Sequence, residues 1–147
     1  MPKKTQRVLK EWTLEYIKNK DLFTKSIKSI KQRDNKIIVE HTNKIHTYII
    51  VPFIKDIRGI TEKTAKKDGF ISLVIFNSKE NLEIIIKNWE ELAKNQKFSI
   101  FFVNPFSSTE EKWIIYPSTH SRISSPFSLK KGLLALFATV EEIKEFS

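Results

Sequence analysis

The chain has 147 residues, 40% hydrophobic and 12% aromatic, which supplies a core for one domain and excludes wholesale disorder. It contains no cysteine, so disulfides, thiolate nucleophiles and cysteine-based zinc sites are excluded and a reducing compartment is expected. The formal net charge of +9 belongs to one half, because residues 1–67 hold 17 Lys+Arg against 7 Asp+Glu, whereas residues 68–147 hold 9 against 10.

The first predicted element is a helix from about Gln6 to Phe23, for which Thr5 is a suitable cap. Its apolar stripe runs through Leu9, Trp12 and Ile17. Segments of alternating pattern, separated by Asp-Asn and Thr-Asn-Lys turn sequences, then predict an antiparallel meander. Its three strands are predicted at Ser26–Arg33, Lys36–His41 and Ile45–Ile54.

Residues 55–69 break this pattern, since eight of these 15 residues are charged and only Ile57 and Ile60 are large and apolar. We expect an exposed, mobile loop there, with room for one helical turn from Thr61. The chain then becomes apolar and regular, beginning with a nearly continuous apolar run that is typical of a buried strand. The elements predicted after the loop are a strand at Phe70–Phe76, a helix from Lys79 to about Asn95 capped by Ser78, strands at Phe98–Val103 and Lys112–Tyr116, and a final helix capped by Ser128.

The predicted order is therefore α-β-β-β-β-α-β-β-α, which indicates an α/β (α+β) fold with a central mixed sheet flanked by helices. The strand–helix–strand unit between Phe70 and Val103 predicts a right-handed parallel crossover. We expect a single domain, composed of a basic helix and meander (1–54), a charged loop (55–69) and an apolar part (70–147). Neither a secretory signal nor an apolar run of about 20 residues is present in the sequence, so a cytoplasmic protein without a membrane partner is expected.

The basic half of the chain points to a polyanion, with nucleic acid as the first choice. Lysine outnumbers arginine there, which favours attraction to the phosphate backbone over reading of base edges. The predicted contact residues are Lys3, Lys4, Arg7, Lys10, Lys28, Lys31, Arg33, Lys36, Lys44, Lys63, Lys66 and Lys67. The three histidines lack metal-type spacing and no glycine-rich phosphate loop is present, so the sequence predicts no metal, no cofactor and no catalytic set.

Polar residues at the ends of the buried strands form a second candidate site. Asn77 and Asn104 each follow a buried strand, and the carboxyl ends of parallel strands share one edge of a sheet. We favour the interpretation that both asparagines end their strands and bond turn backbone. A strand-end site that adds Asp56 and His120 is the open alternative.

The element order resembles the core of restriction-endonuclease-like nucleases, including archaeal Holliday-junction resolvases. In that family a core strand ends in an acidic residue, any residue, and then a lysine, which bind the metal and position the attacking water. On this chain Ile75 stands at the acidic position and Asn77 at the lysine position. Isoleucine offers no oxygen ligand for a divalent cation, so the resemblance implies a catalytically degenerate member.

Our leading hypothesis is therefore a nucleic-acid-binding module on an inactive nuclease-like fold, with little sequence specificity. The first alternative is an assembly subunit whose apolar C-terminal half docks onto a protein partner or a second copy of the chain. The second is an active metal-dependent nuclease, for which Glu40, Asp56 and Glu80 are the candidate carboxylates.

Overall fold

The six strands of the protein form one sheet. The structure is a computed structural model that describes residues 2–66, 69–123 and 125–143. The elements are α1 Pro2–Thr24, β1 Ile27–Arg33, β2 Lys36–His41, β3 Ile45–Ile50, α2 Ile57–Lys66, β4 Phe70–Phe76, α3 Lys79–Lys87, α4 Trp89–Leu92, β5 Phe98–Val103, β6 Lys112–Ile115, α5 Pro117–Ile123 and α6 Pro126–Phe137. The predicted α/β class with a central mixed sheet is confirmed.

The strands lie in the sheet in the same order as in the chain, from β1 to β6. The first three form the predicted antiparallel meander, and β5 and β6 are also antiparallel. Strands β4 and β5 are parallel, as the strand–helix–strand pattern predicted. Strands β3 and β4 are parallel as well, which the sequence did not indicate.

The prediction of an exposed loop at residues 55–69 is wrong, because Ile57–Lys66 forms helix α2. The parallel pairing of β3 with β4 requires a crossover, and α2 lies in that connection. The two isoleucines of the segment are one helical turn apart; Ile60 is buried in the core and Ile57 packs against it. The sequence prediction missed the helix because two apolar residues among eight charged ones did not indicate a buried helical face.

Helix starts differ from the predictions at two of three predicted caps. Helix α1 begins at Pro2, so Thr5 lies inside the helix and is buried instead of capping it. Ser78 caps α3 as predicted, its side chain accepting the backbone N–H of Asn81. Helix α6 is capped by Ser125, which accepts the N–H of Ser128, so the predicted cap is itself inside the helix.

The long helix predicted after Ser78 is divided at Asn88, whose side-chain nitrogen donates to the carbonyl of Ile84 at 2.8 Å. This local bond competes with regular helical geometry, and the chain continues as the short helix α4. Strand β3 also ends at Ile50, four residues before its predicted end. The short helix α5, Pro117–Ile123, was not predicted.

The sheet buries side chains on both faces, which explains the apolar runs of β4 and β5. In β4, Leu73 and Ile75 pack in one cluster with residues of α3, α4 and α6, while Val74 and Phe76 pack in another with residues of α1. Helix α1 contributes Leu9 to that second cluster. In the described ranges, no helix combines the length and the apolar character that crossing a membrane requires.

Candidate functional site

The carboxyl ends of β4 and β5 are occupied by the chain itself. The side-chain nitrogen of Asn77 donates to the carbonyl of Val140 at 3.0 Å, and its oxygen accepts the indole N–H of Trp113 at 2.7 Å. Asn104 donates to the carbonyl of Glu141 at 2.9 Å, a carbonyl that Asn77 also contacts. These two asparagines therefore hold the segment after α6 against the edge where α/β sheets commonly bind ligands.

The other strand-end candidates have separate local contacts. Asp56 is exposed and accepts the backbone N–H of Arg58 at the start of α2. His120 lies on α5, with Nδ1 at 3.3 Å from the carbonyl oxygen of Tyr116. Asn77 and Asn104 therefore meet at the carbonyl of Glu141, to which both donate. The contacts of Asp56 and His120 given above are local.

The positions that the nuclease resemblance singled out have structural contacts. Ile75 is fully buried in the core cluster beside α3, and the amide of Asn77 is occupied as described. Glu40, one of the candidate carboxylates, accepts a bond from Ser29. Among the described residues, no group of three or more histidine, aspartate or glutamate side chains could hold a metal ion.

The predicted nucleic-acid contacts spread over the N-terminal elements. Lys3, Lys4, Arg7 and Lys10 lie on α1; Lys28, Lys31 and Arg33 on β1; Lys36 on β2; Lys44 in the β2–β3 turn; and Lys63 and Lys66 on α2. Lys67 lies outside the described residues.

Six of these residues lie on α1, on β1 or at the start of β2, and β1 is the terminal strand of the sheet. Lys10 reaches from α1 to the carbonyl of Asp34 in the β1–β2 turn, at 2.9 Å. Arg33 and Lys36 are paired across that turn, and Lys31 lies on the same face of β1 by strand alternation. We call the six residues the basic surface: Arg7, Lys10, Lys28, Lys31, Arg33 and Lys36.

Ion pairing does not neutralise this part of the chain. Within the described ranges, the ion pairs recorded at 4.0 Å or less are Lys94–Glu91 and Lys112–Glu110, both in the C-terminal half. Lys36 has a further interaction of its own, and in the part of the chain that the structure describes the other members of the basic surface have no carboxylate at that distance.

A cavity of about 190 Å³ lies at the end of the sheet where the parallel strands β3, β4 and β5 begin. His46 Nε2 is 2.7 Å from the hydroxyl of Ser72, which is 2.7 Å from the hydroxyl of Ser99. The three residues lie on β3, β4 and β5, with Ser72 and Ser99 in direct register. The end of α1 contributes Tyr16 and Lys20 to the wall.

Three lysines surround this cavity, and sequence reasoning found only Lys44. Lys44 and Lys97 place their ammonium groups 5.0 and 5.6 Å from the ring centroid of Phe70, and Lys20 lies over the ring of Tyr16. Lys97 belongs to the half of the chain that is nearly neutral. It lies directly before β5, and the folding of the sheet brings it to the cavity. A usable signal was the lone serine inside each of two apolar strands, Phe70–Phe76 and Phe98–Val103.

The electrostatics of the cavity are those of a positive, partly dry site. Burial, followed by the charges of Lys44, Lys20 and His41, lowers the pKa of His46 to about 3. Burial, followed by the proximity of Tyr116, raises the pKa of Tyr16. The imidazole is therefore neutral and the phenol protonated at neutral pH.

The contact between His46 and Ser72 resembles a base–nucleophile pair but lacks the rest of that machinery. Ser72 is fully buried, and its oxygen is already shared with Ser99. In the part of the chain that the structure describes, no carboxylate bonds the second ring nitrogen of His46. An imidazole with a pKa of about 3 is also a poor general base at neutral pH. The arrangement is suited to binding.

A larger groove of about 990 Å³ lies between α1 and the loop before β6. Four carboxylate residues line it: Glu11, Glu15, Glu110 and Glu111. Lys20 and Lys112 also line it, so acidic residues outnumber basic ones by four to two. In the described ranges, no aspartate or glutamate lines the smaller cavity, which is therefore better suited to an anion. Charge rather than volume therefore selects the cavity at the strand beginnings as the candidate anion site.

Comparison of the chain with protein-family models, with curated proteins and with solved structures found no match. Function is therefore argued from the site itself, that is, from charge, geometry and hydrogen bonding.

Proposed function

We propose that this protein binds nucleic acid through the basic surface, with little preference for sequence. The observation that supports this most directly is a set of cations around β1 and α1 that, Lys36 apart, have no carboxylate within ion-pair distance in the described ranges. Contacts from such cations to phosphates release counterions and supply affinity without reading bases. The same proposal places the protein in the cytoplasm, since a chain without cysteine fits a reducing compartment.

Protection of an exposed strand is the competing explanation for the charges on β1. Lysines on an edge strand prevent it from pairing with other chains. That role requires no charge on α1, yet Arg7 is exposed there and Lys10 extends to the β1–β2 turn. Charge on two elements beside one turn favours a bound polyanion.

The assembly alternative has less support than the sequence suggested. The apolar residues that motivated it, among them Phe98, Ile100 and Phe102, are buried in the protein's own core. Of the exposed large apolar side chains of that half, Phe106 lies in the loop between β5 and β6 and Leu134 lies on α6.

The relationship to restriction-endonuclease-like nucleases remains a proposal that rests on element order. If it holds, the protein is an inactive member, which is supported by the buried side chain of Ile75 and the fully bonded amide of Asn77.

The test is fluorescence anisotropy with labelled duplex DNA, single-stranded DNA and RNA over a range of salt concentrations. For duplex DNA the slope of log affinity against log salt is negative, and it should become less negative by about 0.9 for each phosphate contact removed. The triple variant Arg7→Gln, Lys31→Gln and Arg33→Gln should therefore bind more weakly and with a shallower slope. Sedimentation of the variant checks that loss of edge charge has not caused aggregation.

A matched control removes the same charge elsewhere: Lys79→Gln, Lys87→Gln and Lys130→Gln, three exposed lysines of the C-terminal half. This control should retain the wild-type slope. If both triple variants weakened binding equally, net charge alone would explain the effect, and a defined binding surface would be contradicted. Absence of binding at low salt would refute the proposed function.

A further inference from the structure

The cavity at the beginnings of β3, β4 and β5 has a donor set that calls for an anion. Lys20, Lys44 and Lys97 line it, and among the described residues no carboxylate side chain does. Asp21 lines the small adjoining cavity and already accepts the backbone N–H groups of Ser26 and Ile27. Lys20 also lines the acidic groove beside α1. Within the described ranges, none of these three lysines has a carboxylate within 4.0 Å.

The hydrogen-bonded chain at the base of the cavity can run in two directions. When His46 Nε2 accepts from Ser72, Ser72 accepts from Ser99 and no proton remains for a ligand. When Nε2–H donates to Ser72, Ser72 donates to Ser99, and the Ser99 hydroxyl is free to donate into the cavity. In the described part of the chain, Ser99 has no other side-chain partner. An acceptor in the cavity would select the second direction.

Size limits the ligand. A volume of about 190 Å³ corresponds to roughly six water molecules at about 30 Å³ each. The ring of Phe70 is already covered by Lys44 and Lys97, and that of Tyr16 by Lys20 and Lys112. Stacking of a base would displace these lysines, whereas a small anion would be held by them.

We propose that this cavity binds a single phosphate group, held by the ammonium groups of Lys20, Lys44 and Lys97 and by the hydroxyl of Ser99. A phosphate carries close to two negative charges and three acceptor oxygens, which matches three cations and one hydroxyl donor. Lysine binds phosphate as a point charge, without the planar geometry that arginine imposes. The phosphate is either a small free ligand or the terminal phosphate of a strand; only the second source rests on the proposed function.

The first experiment titrates inorganic phosphate into the 147-residue chain, with chloride at matched ionic strength as the control. Nitrogen chemical shifts of His46 report its tautomer. We expect saturable binding in phosphate alone, with His46 held as the Nε2–H tautomer. A phosphate response no greater than that of chloride, or a bound state with Nδ1–H, would overturn the inference.

Two variants test the donors separately. Ser99→Ala removes the hydroxyl donor and should weaken phosphate binding about tenfold. Lys97→Gln changes an exposed side chain, so the fold should be kept while affinity falls by a similar factor; the exposed residue Lys79, changed to Gln on α3, is the control. Wild-type affinity in Lys97→Gln, or equal loss in the control, would exclude a defined site.

The source of the phosphate is settled with oligonucleotides that carry either a 5′-phosphate or a 5′-hydroxyl. Tighter binding of the phosphorylated strand, abolished by Lys97→Gln, would support a strand end; equal binding of both would support a free phosphate ligand. The two proposals fail separately. Circular DNA has no strand end and therefore tests the basic surface alone. Binding of phosphate but not of circular DNA would support the cavity and refute the proposed function. Binding of circular DNA but not of phosphate would refute the cavity and support the basic surface.

Discussion

Protonation of His46 should destabilise the folded protein as the pH falls below neutral. The imidazole stacks on Tyr48 with ring centroids 4.2 Å apart and bonds Ser72. Burial, then the charges of Lys44, Lys20 and His41, lowers its folded-state pKa to about 3, whereas the unfolded chain has a value near 6.5. Below pH 6.5 the unfolded state binds the proton first. The stability that this group contributes is therefore complete above pH 6.5 and lost on the way to pH 3.

The magnitude follows from linkage. One proton taken up only by the unfolded state changes the free energy of unfolding by about 1.4 kcal/mol per pH unit. Between pH 6.5 and pH 5 the loss attributable to His46 should be about 2 kcal/mol. For a domain stable by roughly 5–15 kcal/mol, that loss is readily measured.

The assay is urea unfolding at several pH values for the wild type and for His46→Gln. Glutamine retains an amide that can bond Ser72 but has no proton to gain. Other shifted groups, such as Asp21 and Glu141 with their lowered pKa values, are common to both proteins and cancel in the difference. Buffers must lack phosphate, because a bound anion would raise the pKa of His46. Parallel stability curves, or an NMR titration of His46 with a midpoint near 6.5, would refute the reasoning.

Asn77→Ala should lower the free energy of unfolding by about 2–4 kcal/mol in the same assay, because it leaves the indole N–H of Trp113 without its acceptor. A loss under about 1 kcal/mol would show that the hydrogen bonds of the Asn77 side chain are dispensable. Gly69→Ala should cost more than about 1 kcal/mol, since φ is 95° and a Cβ would lie 2.7 Å from the carbonyl oxygen of Ile45. Gly132→Ala, in α6 with nothing within 4 Å of the new Cβ, should instead stabilise by about 0.5–1 kcal/mol, so equal signs for the two glycine variants would contradict this account. Incubation with magnesium or manganese should leave DNA and RNA intact, and cleavage stopped by a chelator would revive the metal-nuclease alternative.

The sequence predicted the fold best where the apolar pattern is regular. Strands Phe70–Phe76 and Phe98–Val103 agree with prediction residue for residue, because each is buried on both faces. Helix α2 was missed because its amphipathic pattern rests on two isoleucines among many charges. Parallel pairing of β3 and β4 depends on contacts distant in sequence, which local pattern does not report.

The two candidate sites show a similar division. The basic surface was visible as uneven charge along the chain, since its residues are close in sequence. The cavity was not, because Lys20, Lys97 and His46 come from separate segments and meet only when α1 lies across the sheet. Sequence reasoning did propose that Asn77 and Asn104 bond turn backbone. Asn104 accepts the N–H of Phe106 in the turn after β5, whereas Asn77 bonds the segment after α6 and the indole of Trp113.

The position of α1 has a consequence for the order in which the chain folds. Its buried face packs in a cluster with Tyr48 of β3, Val74 of β4 and Phe101 of β5, and Trp12 bonds Glu111, 99 residues away. The strands can pair one after another, since neighbours in the sheet are neighbours in the chain. Helix α1 precedes every strand of the sheet in the chain but has no complete docking surface until β5 has joined the sheet. Its association is a late, high-contact-order step, and the apolar face stays exposed until then.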